Sequence, residues 1–206
     1  MSEAEIRAAF ARATPSGVRG VVQESVHERG DHDLNPGLTL PRTLRDAAVL
    51  VPIVTRDDAP TLLFTLRNAS LAAHAGQISF PGGRIEPGDD SATAAALRES
   101  QEEIGLDAQH VEPFGRLDRY VTRTGFAVTP IVAFVRPPFE LKLDPGEVED
   151  AFEVPLAWIL DPSSQQVHGA EYQGVTRHFY VYPYGERRIW GATAGMLANL
   201  VEVLTT

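Results

Sequence analysis

Cysteine is absent from all 206 residues, which excludes disulfides, thiolate zinc sites and cysteine nucleophiles. The chain also lacks any apolar run approaching the roughly 20 residues needed to span a bilayer, so no membrane partner is expected. Its first residues, Met1-Ser2-Glu3-Ala4-Glu5, carry acids where a secretory signal needs positive charge. Together with the missing thiols this gives the expectation of a cytoplasmic protein. Basic residues are outnumbered: 18 Lys and Arg against 28 Asp and Glu leave a formal charge of −10. Sequence-independent binding to DNA or RNA relies on Lys and Arg neutralising phosphates, so nucleic acid is not an expected partner. The same deficit means that a small anionic substrate needs local cations at its site, which bound metal ions can supply. Internal repeats and low-complexity segments are also missing.

What is present is an ordinary globular balance, 43% hydrophobic and 22% charged, long enough for one good core. Residues 3–12 have a short helical look, with Ile6 and Phe10 four apart. Residues 14–44 follow with Pro15, Gly17, Gly20, Gly30, Pro36, Gly37 and Pro41 and little periodicity. They read as an extended arm, lying on the domain or reaching a second subunit, or as a poorly ordered leader. The expected division is 1–45 as helix and arm, and 46–206 as the main domain.

Within that domain, Ala47–Val54 and Thr61–Arg67 are β-rich runs separated by a turn at residues 56–60. A short strand, Gln77–Phe80, runs into Pro81-Gly82-Gly83, where a strand interior cannot continue. Pro87-Gly88-Asp89-Asp90 offers a carboxylate N-cap to an alanine-rich helix at Ser91–Ile104, and Gly105 stands at its C′ position. Further strands are expected at Val111–Tyr120 and Phe126–Val135, and a short helix at Pro155–Leu160. A late hairpin at Arg177–Tyr182 and Arg187–Trp190 precedes a closing helix, Ala192–Leu204. Tyr180, Tyr182, Tyr184 and Trp190 alternate like a hairpin face, which suits core or interface better than a base-stacking platform. Strands interleaved with a few helices make a mixed α/β domain.

The chemistry lies in Arg98-Glu99-Ser100-Gln101-Glu102-Glu103-Ile104-Gly105-Leu106. Glu99, Glu102 and Glu103 stand at i, i+3 and i+4, so one helix face carries three carboxylates. Like charges at such spacings cost about 0.2–0.5 kcal/mol per pair unless a cation removes the cost. Arg98 alone does not match three negative charges, and it leaves the helix in a different direction. Three glutamates alone are more often a solvated surface than a site; the glycines around them change that weighting. Without Cβ atoms, the Gly82-Gly83 backbone can approach a metal or a phosphate closely, and a main-chain carbonyl can serve as a ligand. Magnesium suits such an all-oxygen cluster.

Gly83 through Leu106 resembles the Nudix box: glycine, five residues, glutamate, seven residues, then Arg-Glu-apolar-x-Glu-Glu-x-Gly-apolar. Ser100 holds an apolar position, Asp89 stands in place of the first glutamate, and eight residues rather than seven precede Arg98. A second stretch is similar to the signature of coenzyme A pyrophosphatases: Leu62-Leu63-Phe64-Thr65-Leu66-Arg67, His74-Ala75-Gly76-Gln77 and Phe80-Pro81-Gly82-Gly83. Val128-Thr129-Pro130-Ile131-Val132 and Trp190-Gly191-Ala192-Thr193-Ala194-Gly195 resemble later segments of that branch. The branch carries a small residue and a second arginine where this chain has Asn68 and Ala72. Arg123, in the turn Thr122-Arg123-Thr124-Gly125, is a candidate to replace that arginine at a substrate phosphate.

The resemblance implies a Nudix α/β/α sandwich around a mixed β-sheet. It implies metal-dependent hydrolysis of coenzyme A or a derivative to 3′,5′-ADP and 4′-phosphopantetheine, with magnesium or manganese held by Glu99, Glu102, Glu103 and the Gly83 carbonyl. Arg98 would orient a box glutamate through an ion pair, a task typical of the residues behind metal ligands. Glu99, or a carboxylate from beyond the box such as Glu147, would act as base; Glu147 also reads as part of a solvated acidic loop. Arg67 and His74 are candidates for substrate contact, although a lone histidine such as His74 more often makes a structural hydrogen bond. A homodimer is compatible with the family. Two alternatives stay open: another Nudix substrate (ADP-ribose, a dinucleoside polyphosphate, an oxidised nucleotide), or a Nudix fold kept as a binding module.

Overall fold

In the computed structural model, residues 1–13, 28–69 and 76–206 are described. The helix at the amino terminus is α1, Glu3–Ala13, and β1, Glu28–Gly30, follows it. The main domain then runs β2 (Arg45–Val54), β3 (Thr61–Arg67), β4 (Ile78–Ser79), β5 (Gly82–Arg84), α2 (Ala92–Ile104), β6 (Val111–Arg116), β7 (Arg119–Val121), β8 (Phe126–Val135) and β9 (Val148–Pro155). After α3 (Leu156–Ile159) come β10 (Gln166–Tyr172), β11 (Val175–Tyr184), β12 (Arg187–Trp190) and α4 (Ala192–Thr205). Among the described residues, no helix is long and apolar enough to cross a membrane.

The centre is the parallel pair β2–β8, in register from Arg45↔Phe126 to Val54↔Val135. Both strands read as continuous apolar runs because helices cover both faces of the sheet, as parallel pairs require. Alternation divides them between two cores. Val51 and Ile53 of β2 with Val132 and Phe134 of β8 join one; Leu50 and Val54 with Ile131 and Val135 join the other. The first core includes α1 and α4, and the second includes α2. The result is a mixed sheet with helices on both sides, the expected α/β/α sandwich. Around the central pair the sheet runs β1-β7-β8-β2-β3-β4, with β5 on β2, β6 on β8 and β9 on β3; β10-β11-β12 form a second, antiparallel sheet.

Several expectations change at the edges. The arm is only partly outside the sheet: β1 pairs in parallel with β7, and the Asn35 side chain both donates to and accepts from the His178 backbone in β11. The strand expected at 111–120 breaks in two. Gly115 leaves room for Phe10, at a register shift between Pro113 and Gly115, and the Asp118 N–H bonds the Asn199 side chain of α4 instead of a strand. Strand β9 was hidden by its acids, two of which are partnered: Glu153 by Arg56 and Thr61, and Asp150 by Arg187. The late hairpin gains β10 as a third strand, and its aromatic residues divide, Tyr182 fully buried, Tyr180 and Tyr184 half-buried and Trp190 exposed.

Helix α1 is part of the folded core. Ile6 and Phe10 are buried, Phe10 meets Phe114 edge-on at 5.3 Å, and Arg136 ties Glu3 to the end of β8 at 2.7 Å. Phe10→Ala is expected to destabilise the protein by about 3–5 kcal/mol, the range for a buried phenylalanine, with a single cooperative transition retained in urea unfolding. An unchanged midpoint would mean that α1 contributes nothing to the core.

Candidate active site

The site is built where α2 crosses β5. Helix α2 starts at Ser91, whose hydroxyl accepts from the Ala94 N–H (3.1 Å), so the expected carboxylate cap is replaced by a serine cap. Asp89 is occupied elsewhere: it accepts from the Glu86 N–H (2.8 Å) and takes a two-pronged contact from Arg98 (3.0 Å each). Ala95 and Ala96 let the helix lie close on the sheet, and Ser100 is fully buried there. Its hydroxyl returns to the Ala96 carbonyl (2.7 Å), which satisfies it internally and explains how a polar residue fits the apolar position. Gly105, at φ 67°, ends the helix, its N–H on the Gln101 carbonyl, and Leu106 N–H reaches Ser100 O (3.3 Å).

The three glutamates do not share their face equally. Glu103 is 3% exposed; its Oε2 accepts from the Gly82 N–H (3.1 Å) and its Oε1 faces Arg67 Nη1 (3.3 Å). The Glu99 side chain, 16% exposed, lies across Gly83 so closely that a Cβ there would stand 2.5 Å from its carboxyl. A Cβ at 83 would therefore displace the carboxylate above it. Gly82, at φ 150°, is held for a different reason, since a Cβ there would meet the backbone of Ala48 and Val49. Glu102 is 59% exposed at the rim.

Arg98 does not leave the cluster, contrary to the expectation from sequence. Its Nη1 donates to Glu99 (3.1 Å) and Glu102 (3.0 Å), and its Nη2 donates to the Arg84 carbonyl (3.1 Å) as well as to Asp89. Asp89, held well below the usual carboxylate range by Arg98, is thus the anchor of that guanidinium. Sequence reading missed this link. Its available signal was the Asp–Arg pair itself, nine residues apart across the turn into the helix.

Burial pushes the Glu103 carboxyl up to about 7, with the Gly82 N–H and Arg67 opposing and the charges of Glu147 and Glu99 adding. Burial also raises Glu99 against the pull of Arg98, and Glu102 and Glu147 add to the rise. Glu147 is thus near enough to act on both. It is placed by the loop from Asp144: the Asp144 N–H bonds the Glu103 carbonyl (2.9 Å), and the Asn68 N–H bonds the Glu147 carbonyl (2.8 Å). Asn68, a departure from the expected small residue, is what pins this acidic loop to β3; its side chain also donates to Pro145 O (2.7 Å). Arg123 lies over Tyr172 at 4.4 Å. His74 and Ala72 fall outside the described residues.

The donor set is entirely oxygen and suits a hard divalent cation. Among the described residues no three acidic or histidine side chains converge on one point, since arginines engage Glu99, Glu102 and Glu103 in this arrangement. The elevated pKa of Glu103 gives a test without turnover. A carboxyl raised from 4.5 to about 7 favours the folded state fully below pH 4.5, and that contribution is lost as pH rises through about 7. In chelator, Glu103→Gln is expected to gain on wild type as pH rises from 5 to 8, by up to about 3 kcal/mol. Parallel urea-unfolding stabilities across that range would contradict the burial argument.

Residues 44–174 match the family described as NUDIX domain. An uncharacterized Nudix hydrolase NudL from Photorhabdus laumondii subsp. laumondii is 42% identical over 158 residues, covering 77% of this chain and 84% of its own. The protein of the same name from Escherichia coli (strain K12) is 39% identical over 156 residues, 76% of this chain and 81% of its own. The solved structure of RenU, a Nudix hydrolase from M. smegmatis, aligns more loosely, with a TM-score of 0.48 and 20% identity over 57% of this chain and 74% of its own. With more than half of its length inside the family match, the chain belongs to the Nudix family, and it is a hydrolase acting on pyrophosphate bonds.

Proposed function

We propose that this Nudix hydrolase cleaves coenzyme A or its derivatives, releasing 3′,5′-ADP and 4′-phosphopantetheine, with magnesium or manganese as its ion. The observation that carries the chemistry is the packing of two desolvated carboxylates, Glu99 and Glu103, on the Gly82-Gly83 turn. The coenzyme A assignment draws on the resemblance of Leu62–Arg67 and Phe80–Gly83, which fall on β3 and at β5 beside this turn.

Nudix hydrolases in general use divalent metals. Here Glu99, Glu102, Glu103 and the Gly83 carbonyl would hold them, with no nitrogen or sulfur donor needed. Bound there, such an ion would lower the pKa of water and neutralise charge building on the phosphorus oxygens. The remaining work belongs to the chain. Arg98, fixed by Asp89, holds Glu99 and Glu102 in orientation. Glu99, whose proton affinity is raised by burial, or Glu147 on its clamped loop, takes the proton from the attacking water. Arg67 reaches Glu103 with one nitrogen, and its contact with substrate phosphate is assigned on the resemblance. His74 is assigned to substrate contact on the resemblance alone.

The test is product analysis after incubation with coenzyme A and magnesium or manganese. Appearance of 3′,5′-ADP is expected. Chelator should abolish it, and Glu103→Gln should reduce it by more than about a hundredfold, beyond the typical loss from a residue behind the metal ligands. Hydrolysis of ADP-ribose, a dinucleoside polyphosphate or an oxidised nucleotide, with coenzyme A untouched, would retain the chemistry and discard the substrate. Tight metal-free binding with no turnover would point to a binding module instead.

A further inference from the structure

Arginines over much of this surface are matched with carboxylates, as Arg136 is with Glu3 and Glu112. Among the described residues Arg45 and Arg84 are not. The Arg45 guanidinium lies 4.0 Å above the ring of Phe126 and donates from Nη2 to the Thr124 carbonyl (3.1 Å). The Arg84 guanidinium lies 5.8 Å from the same ring. Neither has a carboxylate partner among the described residues. Both side chains are exposed.

The sheet register explains why they meet. Arg84 stands opposite Ala47 in the antiparallel pair β5–β2, and Arg45 stands opposite Phe126 in the parallel pair β2–β8. Strand alternation puts Arg45, Ala47, Arg84 and Phe126 on one face, with Arg45 and Arg84 on the diagonal, where separations are about 7–8 Å. The nearby acid Asp46 projects to the other face, where it is taken by Arg119 (2.7 Å). Two like charges gathered on one ring, in a protein of formal charge −10, gain most from a multiply charged anion. Two guanidinium forks match the oxygens of a phosphate dianion.

The patch is also mechanically tied to the hydrolytic site. Arg84 directly follows Gly83, its carbonyl accepts from Arg98 (3.1 Å), and the Ile85 N–H holds the Asp46 carbonyl (3.1 Å). We propose that Arg45 and Arg84, braced by Phe126, form a subsite for a phosphate monoester that the substrate carries apart from its scissile pyrophosphate. This rests on the coenzyme A reading above, because the 3′-phosphate of coenzyme A is such a group. It gives the enzyme a means of telling coenzyme A from a dinucleotide of similar shape without that phosphate.

The experiment compares kcat/KM for coenzyme A and dephospho-coenzyme A in wild type, Arg45→Ala, Arg84→Ala and the double variant. Arg188→Ala, on the second sheet, serves as a control for lost charge. Wild type should prefer coenzyme A. Each single variant should lose about tenfold to a hundredfold on it, the usual size for a charged hydrogen bond, with dephospho-coenzyme A nearly unchanged. Equal losses on both substrates, or a wild type without preference, would overturn the subsite. Calorimetric binding of adenosine 3′,5′-bisphosphate and of AMP separates the two proposals. If coenzyme A is not cleaved, tighter binding of the bisphosphate that disappears in the double variant upholds the subsite, and equal binding of both nucleotides rejects it.

Discussion

The desolvation of Glu103 is the constraint to which the rest of the site is fitted. Moving an ionised carboxylate out of water costs several kcal/mol even after relaxation, and here the return comes from one backbone N–H and one arginine. The carboxyl is left at about 7, which shows that the cost is not fully offset by the protein alone. Neighbouring features follow from the need to hold that group in place. Two glycines allow β5 to come under the helix, alanines let the helix settle on β2, and the αL residue Gly105 stops the helix just after Glu103. The loop beyond then returns to bond the Glu103 carbonyl and brings Glu147 with it.

Arg98 meets a second demand, that three carboxylates on one helix be kept from repelling one another apart. It does so through a chain of contacts rather than as a lone counterion. Asp89 holds the guanidinium from below, and the Arg84 carbonyl fixes it laterally. The residue inserted ahead of Arg98 falls in the passage from turn to helix, where Asp89 can still reach back. A change of spacing that looks disruptive in the linear pattern is absorbed because a turn, unlike a helix, has no fixed period to violate.

Much of this was legible in the sequence for one reason: the helix and the central strands carry strong periodicity, and glycine marks the places where backbone must come close. Strand β8 was delimited at Phe126–Val135 from its apolar run, and Gly105 from its place after the helix. The failures share a different cause. Strand β9 carries Glu149, Asp150 and Glu153, and no local pattern says that two of these are neutralised by arginines 37 and 97 positions away. The ion pair expected of Arg98 is present, but its direction was misjudged likewise, because that is set by Asp89 and not by helix geometry. The serine cap was overlooked because the preceding aspartates are equally good caps; what decides is that Asp89 is taken by Arg98.

An acidic enzyme acting on an anionic substrate must ration its positive charge, and this chain does so with arginine: Lys142 is its sole lysine among 18 basic residues. Lysine is a compact charge on a flexible stem, whereas arginine offers a planar fork and stacks on aromatic rings. Arg45 on Phe126 and Arg187 on Phe152, at 4.0 and 3.7 Å, use that second property. Stacking fixes a cation without consuming its charge, which a salt bridge would. Arg187 keeps a carboxylate partner as well, in Asp150, and so is spent on structure. Arg45 has none among the described residues, and its charge is left unneutralised on the Phe126 ring. The net charge of the whole molecule is therefore a poor guide to the field at its site, which is set by the few cations left unneutralised and by where the sheet register puts them.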